Sequence, residues 1–279
     1  NHVDEEIDIK SNAYNLRIEH SEVDDLKLFA QLSYTESSLE NTSTTNHYHS
    51  LVINTATNYQ WNGGLFSAGF DYENNNEKLS YLTSSFKLDS TTYGFFVQNE
   101  HFLIDDKLKI LLGVRWDQIN VHDSEASPNI RFNYMMEKEH SLWGAYSRGN
   151  RIVISSDDDI ELYLRVPSQQ SSLPSYVMVS SKDTIERAST LELGYRYEVE
   201  LFQINFALFD SQYDSLLAGE PQLKLIDNTP SILVKVANTA KGSAYGADVV
   251  AVWKPSDAAK LTLGYSYISY ELEKKATQI

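Results

Sequence analysis

The 279 residues carry 23 Lys and Arg against 39 Asp and Glu, a formal charge of -16 that repels a phosphate backbone and argues against nucleic acid as a partner. The absence of cysteine excludes a disulfide framework, a thiolate metal site and a thiol nucleophile. No apolar run approaches the roughly 18 residues of a spanning helix, the most apolar stretch being Ile110 to Val114, so any crossing of a membrane falls to strands.

At the start, Asn1 to Glu6 lack the basic flank and apolar core of a secretory signal, so the sequence is expected to begin inside a longer chain. From there, apolar and polar residues alternate with period two in segment after segment, while helical periodicity is nearly absent. The first expected strands cover 7–19 and 26–35, joined by a short turn at His20 to Asp25, then 47–57 and 63–73, joined at Asn58 to Asn62. After a longer connection, Asn74 to Thr92, come 93–103 and 107–120 around the tight turn Asp105-Asp106. In the second of these, Leu108, Ile110, Leu112, Val114 and Trp116 share one face, and Lys109, Gly113, Arg115 and Asp117, with Leu111, share the other. Strands 128–135 and 140–148 flank Met136 to Glu139, and the longest connection, Gly149 to Glu186, follows. Strand 187–198 sets Leu191, Leu193, Tyr195 and Tyr197 against Glu192, Gly194, Arg196 and Glu198. Past the two-residue turn Val199-Glu200, strand 201–213 sets Phe202, Ile204, Phe206 and Leu208 against Gln203, Asn205 and Ala207. The extended segment Asp214 to Ala240 leads to 242–254 and 260–271, which are joined at Pro255 to Ala259. The final residues, Glu273 to Ile279, are charged and lack the alternation of a closing strand.

Alternating segments of about 9–11 residues match tilted strands crossing a bilayer, and connections that alternate between short and long match a barrel with periplasmic turns and extracellular loops. The fold class is therefore an all-β, antiparallel transmembrane β-barrel, partial, with about twelve strands of a larger barrel. Its apolar faces are expected to meet lipid, and Arg115, Asp117, Glu192, Arg196, Gln203 and Asn205 to face the lumen. Tyr34, Tyr72, Trp116, Tyr146, Tyr213 and Tyr267 fall near the long-loop ends, and Trp61, Tyr197 and Trp253 near the short turns. That placement suits two interfacial girdles, although Tyr and Trp are also simply good strand formers.

Four short motifs in order resemble the barrel of TonB-dependent receptors. Tyr93-Gly94-Phe95-Phe96-Val97-Gln98-Asn99-Glu100, the turn at Asp105-Asp106, and Gly113-Val114-Arg115-Trp116-Asp117 look like that family's recurrent hairpin, with Asn99 where Asp is commoner. Ser127-Pro128-Asn129-Ile130, running to Tyr146-Ser147-Arg148-Gly149-Asn150-Arg151, is similar to its Ser-Pro-Arg hairpin and Arg-rich strand end. Thr190 to Arg196 with Phe206 to Asp214, and Asn238 with Tyr245-Gly246-Ala247-Asp248 and Trp253 to Asp257, complete the set. The matches span 93–271, and residues 1–92 add compatible alternation without a motif. The resemblance implies outer-membrane import of a scarce nutrient, such as a siderophore, haem, cobalamin or an oligosaccharide, without covalent chemistry, catalytic residues or a cofactor. It implies TonB as a partner through a plug domain, together with the lipid bilayer, lipopolysaccharide and the nutrient itself. The family's full barrel has about 22 strands around a plugged lumen, so 1–279 is expected to be a barrel fragment lacking the plug and further strands. Rival readings are a passive porin or barrel enzyme, which shares the turns and girdles, and a soluble β-rich lectin, which predicts polar residues on both faces of its outer strands.

The candidate ligand-binding residues lie in and beside 149–186. Arg148 and Arg151, where this segment begins, offer fork-shaped donors to an anionic ligand, or else pair with lumen carboxylates such as Glu192 or with the plug. Asp157, Asp158 and Asp159, followed by Glu161, suit a cation, a basic ligand or divalent ions that bridge lipopolysaccharide. The run lacks the Gly and distal Glu of a calcium loop and reads equally as solvated surface. Tyr163 and Arg165 add an aromatic surface and charge-assisted contacts. His47 and His49 share a face at the start of a strand, a possible two-histidine metal contact with no third ligand nearby, and no metal site is assigned.

Overall fold

A computed structural model describes residues 7–23, 25–42, 44–81, 84–104, 107–119, 123–154, 175–179, 184–226 and 229–274. Alternation organises nearly all of them into strands: β1 (Asp8–Val23), β2 (Leu26–Glu40), β3 (Thr44–Trp61), β4 (Gly64–Tyr81), β5 (Ser84–Leu103), β6 (Leu108–Ile119) and β7 (Asp123–Met135). The series continues with β8 (His140–Ile154), β9 (Ser175–Val179), β10 (Thr184–Val199), β11 (Phe202–Ile226), β12 (Thr229–Ser256) and β13 (Ala259–Lys274). All but β9 pair antiparallel with their neighbours in one meander from β1 to β13, and β9 lies parallel to β12 at Ile232–Val236. The twelve strands anticipated from alternation are the twelve of this path, and no described helix is long and apolar enough to cross a membrane.

Residues directly opposite in antiparallel strands share a face, so the register carries each face across the sheet. Leu16, Leu32, Ile53, Tyr72 and Tyr93 form one continuous row, and Leu193, Leu208, Ala247 and Tyr267 form another. Side chains of this face are on display: Leu112 is 55% exposed and Tyr265 69%. The buried hydrophobic residues among those described are only Ile185, Ala240 and Ala244. A water-soluble sheet would hide its apolar face against a second layer, whereas among the described residues this face is exposed, as a surface that meets hydrocarbon would be.

The opposite face is polar and hydrogen-bonded across strands. Arg115 Nε donates to both carboxylate oxygens of Asp117 at 2.9 and 3.0 Å, and its Nη1 pairs with Asp71 on β4, which accepts from Asn54 on β3 at 2.8 Å. The guanidinium can cross β5 only because Gly94 lies beneath it, where a Cβ would stand 2.2 Å from Arg115 Nη2. Farther along, Glu100, Lys109, Arg131, Asn133, Glu192 and Arg196 rim a hollow of about 590 Å³ on this face. Lipid and lumen sides thus fall as the alternation predicts.

The long connections are where sequence and structure part. Asn74 to Thr92 was expected to be a loop, yet β4 and β5 stay paired to Tyr81 and Ser84. Likewise β11 and β12 run 25 and 28 residues and pair as far as Ile226 and Thr229, through most of the expected loop Asp214 to Ala240. Beyond the bilayer both faces meet water, so alternation fades while backbone pairing persists. Polar cross-strand bonds, such as Asn46 to Glu77 at 2.8 Å and Tyr48 to Asn75 at 3.0 Å, support these projections.

Aromatic side chains cluster at both rims. On the long-loop side, Tyr14 stacks with Tyr34, and Tyr72 packs at a tilt against Tyr93; on the short-turn side, Trp61 stacks on His101 at 4.7 Å and His140 packs on Tyr197. The sheet is open among the described residues, since β1 pairs only with β2 and β13 only with β12. Leu112→Arg in the full-length protein should cost about 2–4 kcal/mol of folding stability, and Gln203→Arg far less. Unfolding equilibria in lipid vesicles measure both, and equal costs would reject the assignment of faces.

Candidate ligand-entry site at the outer mouth

Between β7 and β8 the backbone ladder stops early. It runs from Met135 opposite Ser141 only to Asn129 opposite Ser147, whereas β6 holds β7 to Asp123 and β10 holds β8 to Ile154. The residue at the break is Pro128, which has no N–H to offer a neighbour. Side chains close the resulting seam. Glu125 on β7, 8% exposed, accepts from Arg187 Nε on β10 at 2.9 Å and pairs with Arg148 on β8 at 3.3 Å. Asn150 donates to Ser127 Oγ at 2.9 Å, and its buried Oδ1 has no hydrogen-bond partner among the described residues.

A second polar knot lies beside the seam. β11 bulges after Tyr213, with Ser215 at φ 57°, the left-handed region that L-residues seldom enter. The bulge turns the Leu217 N–H to Glu186 Oε1 at 2.9 Å, while Asn238 on β12 donates to the carbonyls of Ser215 and Ile185. Glu186 is itself 7% exposed and stands directly opposite Arg151, whose Nε donates to its Oε2 at 2.7 Å. A buried carboxylate requires such partners.

These groups sit past the apolar band. The outward row Ile130, Tyr146, Leu191 ends at Asp210, and the next outward position on β11 is Gln212. Outside the band, hydrogen bonding from Arg187 holds the Glu125 carboxyl below its usual value despite the contrary pull of burial, with Arg148 adding attraction. A lowered carboxyl contributes stability that is present above its unfolded value of about 4.3 and is lost as pH falls through the folded value. The seam therefore holds at neutral pH and loosens in acid.

Of the residues singled out from sequence, Arg148 and Arg151 both lie at this end of β8, paired with Glu125 and Glu186 respectively rather than with Glu192. Arg151 remains 72% exposed while paired, so its outer N–H groups stay accessible. Asp157, Asp158, Asp159, Tyr163 and Arg165 lie outside the described residues. His47 and His49 are on β3, and no cluster of three metal-ligating side chains exists among the described residues. Glu125, Glu186 and Arg187 were not anticipated; Pro128 inside a strand was the signal that a ladder would break and need side-chain replacements.

The family model for the TonB dependent receptor-like β-barrel matches residues 2–278. The chain belongs to that family, whose barrels sit in the outer membrane of Gram-negative bacteria. No curated protein matches it in sequence. Among solved structures, the siderophore receptor PirA from Acinetobacter baumannii superposes with TM-score 0.72 at 14% identity, over 93% of this chain and 44% of that one. The ferric enterobactin receptor PfeA from Pseudomonas aeruginosa, a mutant, gives 0.74 at 13%, over 93% and 43%. The FrpB iron transporter from Neisseria meningitidis, in its apoprotein form, gives 0.70 at 14%, over 95% and 45%. The chain thus spans less than half the length of these structures.

Replacement of Glu186 separates the two bonds it makes. Glu186→Gln keeps an acceptor for Leu217 but turns its amide NH2 toward Arg151 and so gives up the pair with that exposed guanidinium, a cost of up to about 1 kcal/mol. Glu186→Leu strands the Leu217 N–H and should cost about 1–3 kcal/mol. Urea unfolding of the full-length receptor, with amide exchange at Leu217, reports both.

Proposed function

We propose that the chain forms part of the barrel of a receptor that captures a small, scarce nutrient outside the cell and admits it by TonB-driven displacement of a plug. The plug and the remaining strands would come from further chain, because an open sheet exposes unpaired backbone at β1 and β13 that lipid does not tolerate. The observation that carries this reading is the family match over 2–278, which favours it over a passive porin or an enzyme. The resemblance to receptors and transporters of siderophores and iron favours an iron complex. A mouth built around Arg148, Arg151 and Arg187 supports an anionic one, since guanidinium forks bind carboxylate, catecholate and phosphate oxygens well. Asp157, Asp158, Asp159, Tyr163 and Arg165, on the segment joining β8 to β10, are proposed to complete the capture surface.

Growth of a strain lacking the full-length receptor should fail on one ferric siderophore in a panel that also includes haem and cobalamin, and return on complementation. Deleting 155–181 should weaken binding of that ligand at least about tenfold, or 1.4 kcal/mol, while membrane insertion persists. Unchanged affinity after the deletion would exclude this segment from capture, and growth equal to the parent on every nutrient would reject uptake as the function.

A further inference from the structure

Glycines on the lumen face mark where a neighbouring side chain lies across the sheet. Phe96 covers Gly69, Trp143 covers Gly194 and Phe209 covers Gly246, each ring belonging to the residue directly opposite its glycine. The Arg115 guanidinium lies over Gly94, and a Cβ on Gly113 would stand 3.0 Å from the Cβ of Gln98. A glycine weakens a strand interior, and the room it leaves for a neighbour is what offsets that loss.

Gly149 and Gly264 differ: nothing stands within 4 Å of where their Cβ atoms would lie. Gly149 is just past the end of the β7–β8 ladder, so only Ala188 on β10 stands opposite it. Gly264 has only Val250 on β12 opposite it, and Val250 does not reach over it. Each open glycine thus lacks a paired strand on one side among the described residues. At Gly149 the seam accounts for this, outside the apolar band. Gly264 lies within the band, between the outward-facing Leu263 and Tyr265, where hydrocarbon requires the second edge of β13 to be bonded.

β1, the other open edge, has no ring to lay there. Its lumen-facing residues, alternating with the outward Tyr14, Leu16 and Ile18, include Ser11, Ala13, Asn15 and Arg17. Arg17, the one long side chain among these, is bonded to Glu19 and lies against Phe29. We propose that the free edge of β13 receives a strand of further chain that carries Phe, Tyr or Trp directly opposite Gly264, and that this ring-on-glycine contact fixes the register in which the barrel continues. A slip of one residue would turn the ring to lipid, and a slip of two would set it against the side chain of Thr262 or Ser266. The proposal rests on the barrel reading above and adds which residue type the next strand presents, and where.

Amide hydrogen exchange and urea unfolding of the full-length receptor in lipid vesicles test it. Amides of β13 that β12 does not bind should be protected, which shows that a strand is there. Gly264→Val should lower the ratio of folded to unfolded receptor about tenfold or more at the parent's urea midpoint, as should Gly194→Val beneath Trp143, because both overfill an occupied space. Gly149→Val, over which nothing lies, should not lower it. Ser266→Cys, combined in turn with single cysteines along the next strand, fixes by disulfide formation which residue stands opposite Gly264. Replacing that residue by Ala should lower the stability of the parent and raise that of Gly264→Val, or restore its folding if the single variant does not fold. Unprotected β13 amides would overturn the proposal together with the barrel reading. Protected amides with Gly264→Val tolerated as well as Gly149→Val, a disulfide to β1, a residue without a ring opposite Gly264, or no rescue by Ala would overturn the proposal alone.

Discussion

Within hydrocarbon there is no water to receive an N–H or C=O, and each backbone group left without a partner costs several kcal/mol. A sheet in that setting is held first by its ladders and only second by its side chains. The antiparallel meander from β1 to β13 meets this demand with each strand bonded to its chain neighbours, β9 aside. Once the ladders are set, the register leaves little freedom in the faces, because a slip of one residue would turn every apolar side chain to the lumen. That is how exposed leucines such as Leu112 and Leu208 coexist with so few buried hydrophobic residues among those described.

The mouth of the barrel follows from the same demand where a ladder cannot be continued. At Pro128 the β7–β8 pairing ends, and the polar contacts that bridge the strands are carried by Glu125, Arg148, Arg187, Asn150 and Ser127. At Ser215 the bulge in β11 leaves the Leu217 N–H and the Ser215 carbonyl outside the ladder, and Glu186 and Asn238 take them up. The substitutes are charged or amide side chains, so the places where pairing fails become the most polar and most cross-linked parts of the outer end. Arg148, Arg151 and Arg187 are thereby held on paired strands, which fixes the geometry of their contacts.

Close approach of strands adds a second layer of rigidity. Trp143 covers Gly194 and Phe209 covers Gly246 on the lumen face, each ring lying against the glycine directly opposite it. A side chain at either glycine would meet the ring, so these pairs lock neighbouring strands without adding charge to the lumen. The Arg115 ladder, laid across Gly94, does the same with charged groups.

The twelve long strands, the antiparallel order and the assignment of lipid and lumen faces were all legible in the chain, because alternation is the direct imprint of two unlike solvents on either side of a strand. The family was legible too, in motifs such as Gly113 to Asp117 and Ser127-Pro128, whose physical reasons are the Arg115 ladder and the seam. The projections beyond the membrane were not: Asn74, Asn75 and Asn76 look like a loop because water on both faces erases the alternation that marks a strand. The partners of Arg148 and Arg151 were equally hidden. Glu125 is 23 residues before Arg148 and Glu186 is 35 after Arg151, and only the failure of one ladder and the register of another bring them together. Position along the chain sets which residues can face lipid, but which charges meet at the mouth is decided by strand pairing, a property of the folded sheet as a whole.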